Sequence, residues 1–258
     1  MGTKVRFFKE VKFSHAVLFT GLPGIGLVGK IAVDYLLKQL KAKKVAEIWS
    51  DSFPPSVHTQ SGLLDLIKDE IYHVHHEGKD FLFLAGPVQP SLDVRMGSMS
   101  EHYEFAEAIV NAIAEKGVSE IYTLAGINVG EKRMVLEPKV IVAASSDKNL
   151  KEWKALGAVS DKPEGLISGA AGLILGVAKE KGLEGACLMG ETNARLIYGD
   201  HGAAKKLIEL LIQRYGFKVD MSKIKKESQA IEKAFTQLSK QFEEPEPPKP
   251  DSTLSYVR

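Results

Sequence analysis

The residues with the clearest chemical promise form the run Thr20-Gly21-Leu22-Pro23-Gly24-Ile25-Gly26-Leu27-Val28-Gly29-Lys30-Ile31. Gly24-x-Gly26-x-x-Gly29 follows an apolar strand-like run and precedes a helix-like one. That is the context in which a glycine turn presents backbone N–H groups to a dinucleotide pyrophosphate. The overlapping Gly24-x-x-x-x-Gly29-Lys30 approaches a phosphate-binding loop, but position 31 is Ile where a Ser or Thr hydroxyl should hold magnesium. Dinucleotide binding also asks for an acidic residue about 20 positions on. Glu47 and Asp51 lie near that distance, yet Glu47 falls inside an apolar strand and Asp51 in a Pro-containing loop beyond it. The structural reading is that the glycines permit a tight turn and close packing of helix on strand. A nucleotide- or nucleoside-binding enzyme, with Gly24, Gly26, Gly29 and Lys30 cradling an anion, stands as the alternative.

The remaining chemistry is thin. His73 and His75 share one face of a strand, with His76 opposite, but no third ligand has diagnostic spacing for a metal. Cys187, the sole cysteine, sits in Ala186-Cys187-Leu188-Met189 and reads as a packed thiol in a reducing compartment. Asn128, Glu131, Glu137, Glu191, Thr192, Asp200 and His201 follow strands, where α/β proteins place their sites. No nucleophile elbow or paired-carboxylate spacing stands out among them. The expectation is a non-enzyme with no cofactor and no metal.

Charge narrows the partners. With 34 basic and 33 acidic residues the net charge is +1, which argues against a nucleic-acid binder working by bulk electrostatics. The longest weakly polar stretch, Gly165–Ala178, is too short and glycine-rich to span a bilayer, and Lys4–Lys12 lacks the apolar core of a signal peptide. A soluble, cytoplasmic protein is expected.

These residues need a scaffold, and the chain alternates short apolar runs with amphipathic segments of helical length. Strands are expected at Ala16–Thr20, Lys44–Trp49, Glu70–His75, Phe81–Ala85, Glu120–Leu124, Lys139–Ala143 and Gly185–Met189. Helices are expected at Leu27–Leu40, Ser98–Glu115, Lys148–Leu156, Ser168–Glu180 and Gly202–Tyr215. Ser98 and Glu101 have capping-box spacing, while Gly117 and Gly216 sit where helix ends want a left-handed residue. Glu77-Gly78-Lys79-Asp80 reads as the turn of a hairpin. Repeated alternation implies an α/β fold, a mostly parallel sheet with helices on both faces, over residues 1–219.

Beyond Asp220 the pattern changes. Met221, Ile224, Ser228, Ile231, Phe235, Leu238 and Phe242 are spaced alternately by three and four, a heptad seam on a helix over residues 220–242. Such a narrow stripe suits self-association or a partner, through Ile224, Ile231, Phe235, Leu238 and Phe242; docking on its own domain is the other reading. Residues 243–258 are a Pro-rich extended tail ending in Leu254-Ser255-Tyr256-Val257-Arg258, shaped to hold out a terminal peptide.

The Thr20–Gly29 block, with its helix through Tyr35, resembles the opening of the proteasome assembly chaperone family in its archaeal branch. So do Leu84–Pro90, Gly165–Leu173 and Gly190-Glu191-Thr192. The resemblance covers roughly Ala16 to Tyr215. It implies a phosphorylase-like three-layer fold, homo-oligomerisation, no catalysis, and help in assembling or opening the core proteasome. It also implies that a terminal carboxylate pairs with a lysine between proteasome α-subunits while a nearby tyrosine shifts the gate. Leu254, Tyr256, Val257 and Arg258 would carry that docking here, with Tyr256 one place earlier than the family's tyrosine.

Overall fold

The computed structural model describes residues 2–90, 99–160 and 164–242, with the backbone alone for 236–242. Along the chain come β1 (Lys4–Phe7), β2 (Ala16–Gly21), α1 (Val28–Leu40), β3 (Lys43–Trp49), β4 (Val57–Gln60), β5 (Leu63–Leu66), β6 (Asp69–His76) and β7 (Lys79–Ala85). They are followed by α2 (Met99–Glu115), β8 (Val118–Asn128), α3 (Lys132–Val135), β9 (Val140–Ala144), α4 (Asp147–Ala155) and α5 (Ala170–Glu180). β10 (Glu184–Thr192), α6 (His201–Tyr215) and α7 (Ser222–Phe242) complete the described chain.

An eight-stranded sheet in the order β1-β3-β6-β7-β2-β8-β10-β9 forms the middle layer, and β4 and β5 make a separate two-stranded ribbon. β7, β2, β8 and β10 are mutually parallel and β3 shares their direction, while β1, β6 and β9 run against them. The antiparallel flanks refine the expectation of a mostly parallel sheet. β6 and β7 form the expected hairpin, His76 facing Lys79 across a two-residue turn whose Glu77 and Gly78 both have positive φ.

Strand alternation divides the core in two. Val17, Phe19, Phe81, Phe83, Tyr122 and Leu188 point to one face, where α1, α4, α6 and α7 cover them. Ala16, Leu18, Leu82, Leu84 and Ile121 point to the other, beneath α2 and α5. Strands apolar on both faces require this double cover, since successive side chains leave opposite sides of the sheet. At the C-cap of α6, Gly216 takes the left-handed conformation expected of it, its N–H closing on the Ile212 carbonyl. Ser98 and the tail from residue 243 lie outside the described residues. Among the described residues no helix is long and apolar enough to cross a membrane.

This topology has one consequence for function. The chain leaves β2 towards β3 on one side, whereas β7 is followed through α2 by β8 on the other side. The connections diverge at the C-terminal ends of the central strands, which is where open α/β sheets form crevices.

Candidate functional site

The glycine segment lies at that divergence. After β2 it makes a single 3₁₀ turn, Ile25–Leu27, in which Gly26 (φ 60°) and Leu27 (φ 48°) are both left-handed. A Cβ at position 26 would overlap the Thr192 hydroxyl, and one at position 29 would overlap the Leu124 carbonyl oxygen. These two glycines therefore let loop and helix lie directly on β10 and β8. Gly24 has open space around it. Lys30 Nζ is held 2.8 Å from Asp34 Oδ2, one turn along α1, and does not line the crevice.

Beneath the loop is a cavity of about 280 Å³, walled chiefly by apolar groups including Leu22, Ile25, Ile127, Ile167 and Met189. No charged side chain among the described residues lines it. A nucleotide phosphate in such a place would look for oriented donors and a cation; this cavity offers apolar surface instead. Gln89 ties its edges together, donating from Nε2 to the Pro23 carbonyl and accepting at 3.1 Å from the Ala170 N–H that opens α5. Ile25 and Leu166 on its wall are exposed, as are Ile197 and Tyr198 in the loop after β10. Exposed apolar surface of this kind, where it is contiguous, marks protein or membrane contacts or ligand grooves.

Behind the loop sits a network that sequence reasoning missed. Arg133, on the short helix α3, is wholly buried. Its Nε and Nη2 donate to Asp200 Oδ2 and Oδ1 at 2.8 and 2.9 Å, while Nη1 and Nη2 reach Glu232 on α7 at 3.2 and 2.7 Å. The guanidinium lies 5.2 Å from the centre of the Phe235 ring. Asp200 also accepts from the Thr192 hydroxyl at 3.0 Å and caps α6 through the Ala203 N–H at 3.0 Å. Its own N–H donates to the Gly26 carbonyl at 2.8 Å. One buried carboxylate thus joins the glycine loop, β10 and α6 and, through Arg133, α7. Burial pulls the Arg133 pKa down, but its bonds to Glu232 and Asp200 outweigh that and leave it raised. Asp200 and Thr192 were visible as polar residues after strands. Arg133 was not, because its partners lie 67 and 99 positions away.

The heptad seam of α7 packs within the chain over its described part. Ile224 and Phe235 are buried, Ser228 with them, and Ile231 is partly exposed. Ile224 joins the core beneath α6, and Phe235 lies under Arg133. The surface expected to face a second subunit is, at Ile224 and Phe235, taken by the chain's own domain. Leu238 and Phe242 continue the helical backbone; their side chains, like Leu254, Tyr256, Val257 and Arg258, lie outside the described residues.

The other candidates find structural roles. His73 Nε2 and His75 Nδ1 both lie within 2.9 Å of Asp80 Oδ1. Burial would raise that carboxyl, but the two histidine bonds outweigh it and hold its pKa below the ordinary value. Among the described residues no group of three His, Cys, Asp or Glu side chains is placed to hold a metal. Cys187 is fully buried, and burial pushes its thiol up to about 11, so little of it is thiolate. Asp69, at the start of β6, is buried against Gly86 with neither oxygen at hydrogen-bonding geometry. Burial pushes its pKa well above the usual range, although the Val88 amide and the Lys30 charge pull the other way.

Comparison with known proteins places these features in a lineage. An uncharacterised protein of Methanocaldococcus jannaschii is 34% identical over 93% of this chain and 89% of its own length. The crystal structure of Pyrococcus furiosus PbaB, described as an archaeal proteasome activator, superposes with a TM-score of 0.82 at 28% identity, covering 92% of this chain and 99% of PbaB. Pyrococcus furiosus PbaA, described as an archaeal homologue of proteasome-assembly chaperone, shares the fold at a TM-score of 0.71 and 24% identity, with 92% of each chain covered. The PAC2 family profile matches residues 18–239, taking in the glycine loop, the Arg133 network and most of α7, and the chain belongs to the PAC2 family.

Proposed function

We propose that this protein binds the core proteasome as a homo-oligomer, assembling or activating it, and that it docks the segment Leu254–Arg258 between α-subunits. The observation that carries this reading is the likeness to PbaB, which extends over 92% of this chain and 99% of that one. The local physics is compatible with it. α7 is clamped to the domain by Ile224, Phe235 and the Glu232–Arg133 pair, so a Pro-rich spacer leaving its far end would start from a fixed point. Tyr256 and Val257 would supply apolar contact, and the carboxylate of Arg258 would meet a lysine, a recurring mode of terminal-peptide capture. Each contact is weak alone. Several tails on one oligomer raise the combined affinity by about 10²–10⁴ through effective concentration. The cavity beneath the glycine loop, apolar and without a charged side chain among the described residues that line it, favours this reading over the nucleotide-binding alternative.

The test is size-exclusion co-migration of the purified protein with core proteasome, comparing the full chain with one truncated after Glu244. Co-migration of the full chain alone supports tail docking. Equal binding by both forms moves the contact to the folded domain, and binding by neither removes the proteasome as partner.

A further inference from the structure

The cavity beneath the glycine loop has a polar end that neither proteasome docking nor a phosphate cradle would use. Strand alternation sets Thr20 on the face of β2 that Ala16 and Leu18 share, the face covered by α2 and α5. Ala125, Ile127 and Met189 on β8 and β10 line the same cavity, as do Leu22 and Ile25 of the glycine loop. Thr20 is only 3% exposed and lines this space, yet among the described residues its hydroxyl has no hydrogen-bond partner. Buried polar groups are almost always paired, and an unpaired one costs free energy that a bound ligand can restore.

The start of α5 supplies donors at the same place. Ala170 and Ala171 line the cavity, and Gly169 before them has no side chain with which to cap the helix. A Ser or Asp at that position would accept from the second or third N–H of the helix; Ser168 stands one place too early. The Ala170 N–H goes to Gln89 Oε1 at 3.1 Å, and the Leu173 N–H to the Gly169 carbonyl. The N–H groups of Ala171 and Gly172 are left without an acceptor among the described residues. α5 runs for 11 residues, so its aligned amide dipoles reinforce these donors. Gln89 also donates to the Pro23 carbonyl, tying loop to helix, so the cavity is formed before a ligand arrives.

These features define the ligand. Backbone N–H groups and a hydroxyl, with no charged side chain beside them among the described residues, suit one carboxylate and not a phosphate dianion. The rest of the wall is apolar, and about 280 Å³ is at the small end for a ligand pocket. We propose that this cavity binds a small aliphatic monocarboxylate. The Ala171 and Gly172 N–H groups and the Thr20 hydroxyl receive the carboxylate, and Leu22, Ile127 and Met189 pack against the hydrocarbon. The site does not rest on proteasome binding, and failure of either leaves the other standing.

The experiment follows the backbone amide resonances of the isotope-labelled full chain by NMR while isovalerate is added. Saturable shifts centred on Ala171 and Gly172 are expected. Isoamyl alcohol, which has the same branched body without the carboxylate, and inorganic phosphate should each bind at least about tenfold more weakly. Thr20→Val keeps the side-chain shape and removes the hydroxyl, so it should weaken isovalerate about tenfold, and Thr20→Ser should restore it. The comparison of acid with alcohol needs no variant and decides the matter even where Thr20→Val folds poorly. Absence of saturation, shifts confined to other amides, equal binding of the alcohol, preference for phosphate, or undiminished affinity in a folded Thr20→Val would each overturn the proposal.

Discussion

Helix α7 and the β4–β5 ribbon both carry a one-sided apolar pattern, and they use it in opposite ways. On α7 the stripe has a sharp three-four spacing that suggests an assembly seam, yet Ile224 and Phe235 are buried against the chain's own α6 and α3. On the ribbon the pattern is only four residues per strand and easily overlooked, yet its Val57, Leu64 and Leu66 stay exposed beside a groove. Periodicity says that a face must be covered; it does not say by what. The helix is covered at home because a buried polar anchor, Glu232–Arg133–Asp200, accompanies its apolar residues and fixes where it lies. Among the described residues the ribbon has no comparable ion-pair anchor.

The comparison can be broken first at that anchor. Arg133→Ala leaves Asp200 buried without its bidentate partner, and the fold should lose about 3–5 kcal/mol in chemical denaturation. A loss below about 1 kcal/mol would mean that α7 and the glycine loop do not depend on the network. Next, Ile224→Ala should cost about 2–5 kcal/mol as a cavity mutation. That cost should not vary with protein concentration, since the cavity lies within one chain. A concentration-dependent cost would return the seam to a subunit interface.

Asp69→Asn sharpens the contrast from the other side, because here a buried polar group lacks an anchor. Its raised pKa in the fold means that stability is full at low pH, where the carboxyl is protonated in both states, and is lost as pH rises through the folded value. The variant should therefore match the wild type in acid and gain roughly 1–3 kcal/mol near neutrality. A melting-temperature difference that stays flat with pH would refute this. Smallest of all should be Leu66→Ser, within about 0.5 kcal/mol when unfolding is followed at dilutions where single chains predominate. A large loss there would show the ribbon to be part of the core.

Much of the frame was legible before folding. The strand around Phe81–Ala85, the hairpin at Glu77-Gly78 and the helix ending at Gly216 follow from signals carried by a few neighbouring residues. The packing role of Gly26 and Gly29 was one of two readings, and Thr192 and the Leu124 carbonyl support it. β1, the ribbon and α3 were missed, being four-residue elements with too little length for a period to show. Within the site, Asp200 could be noticed as a polar residue near a strand end. Arg133 drew no reading, since nothing nearby in sequence announces its burial.

The sequence by itself determined the alternation of strands and helices, the two-sided burial of the central strands, and the apolar stripe of α7. Each is a periodicity of two or three-and-a-half residues, read within one element. Tertiary structure alone decided the strand order that sets β2 between β7 and β8, the antiparallel flanks, and the closing of α7 on its own domain. It also decided which apolar face was left open. Those choices depend on which distant groups can satisfy one another. A guanidinium finds its carboxylates across 67 and 99 positions, while the ribbon's Val57, Leu64 and Leu66 stay exposed.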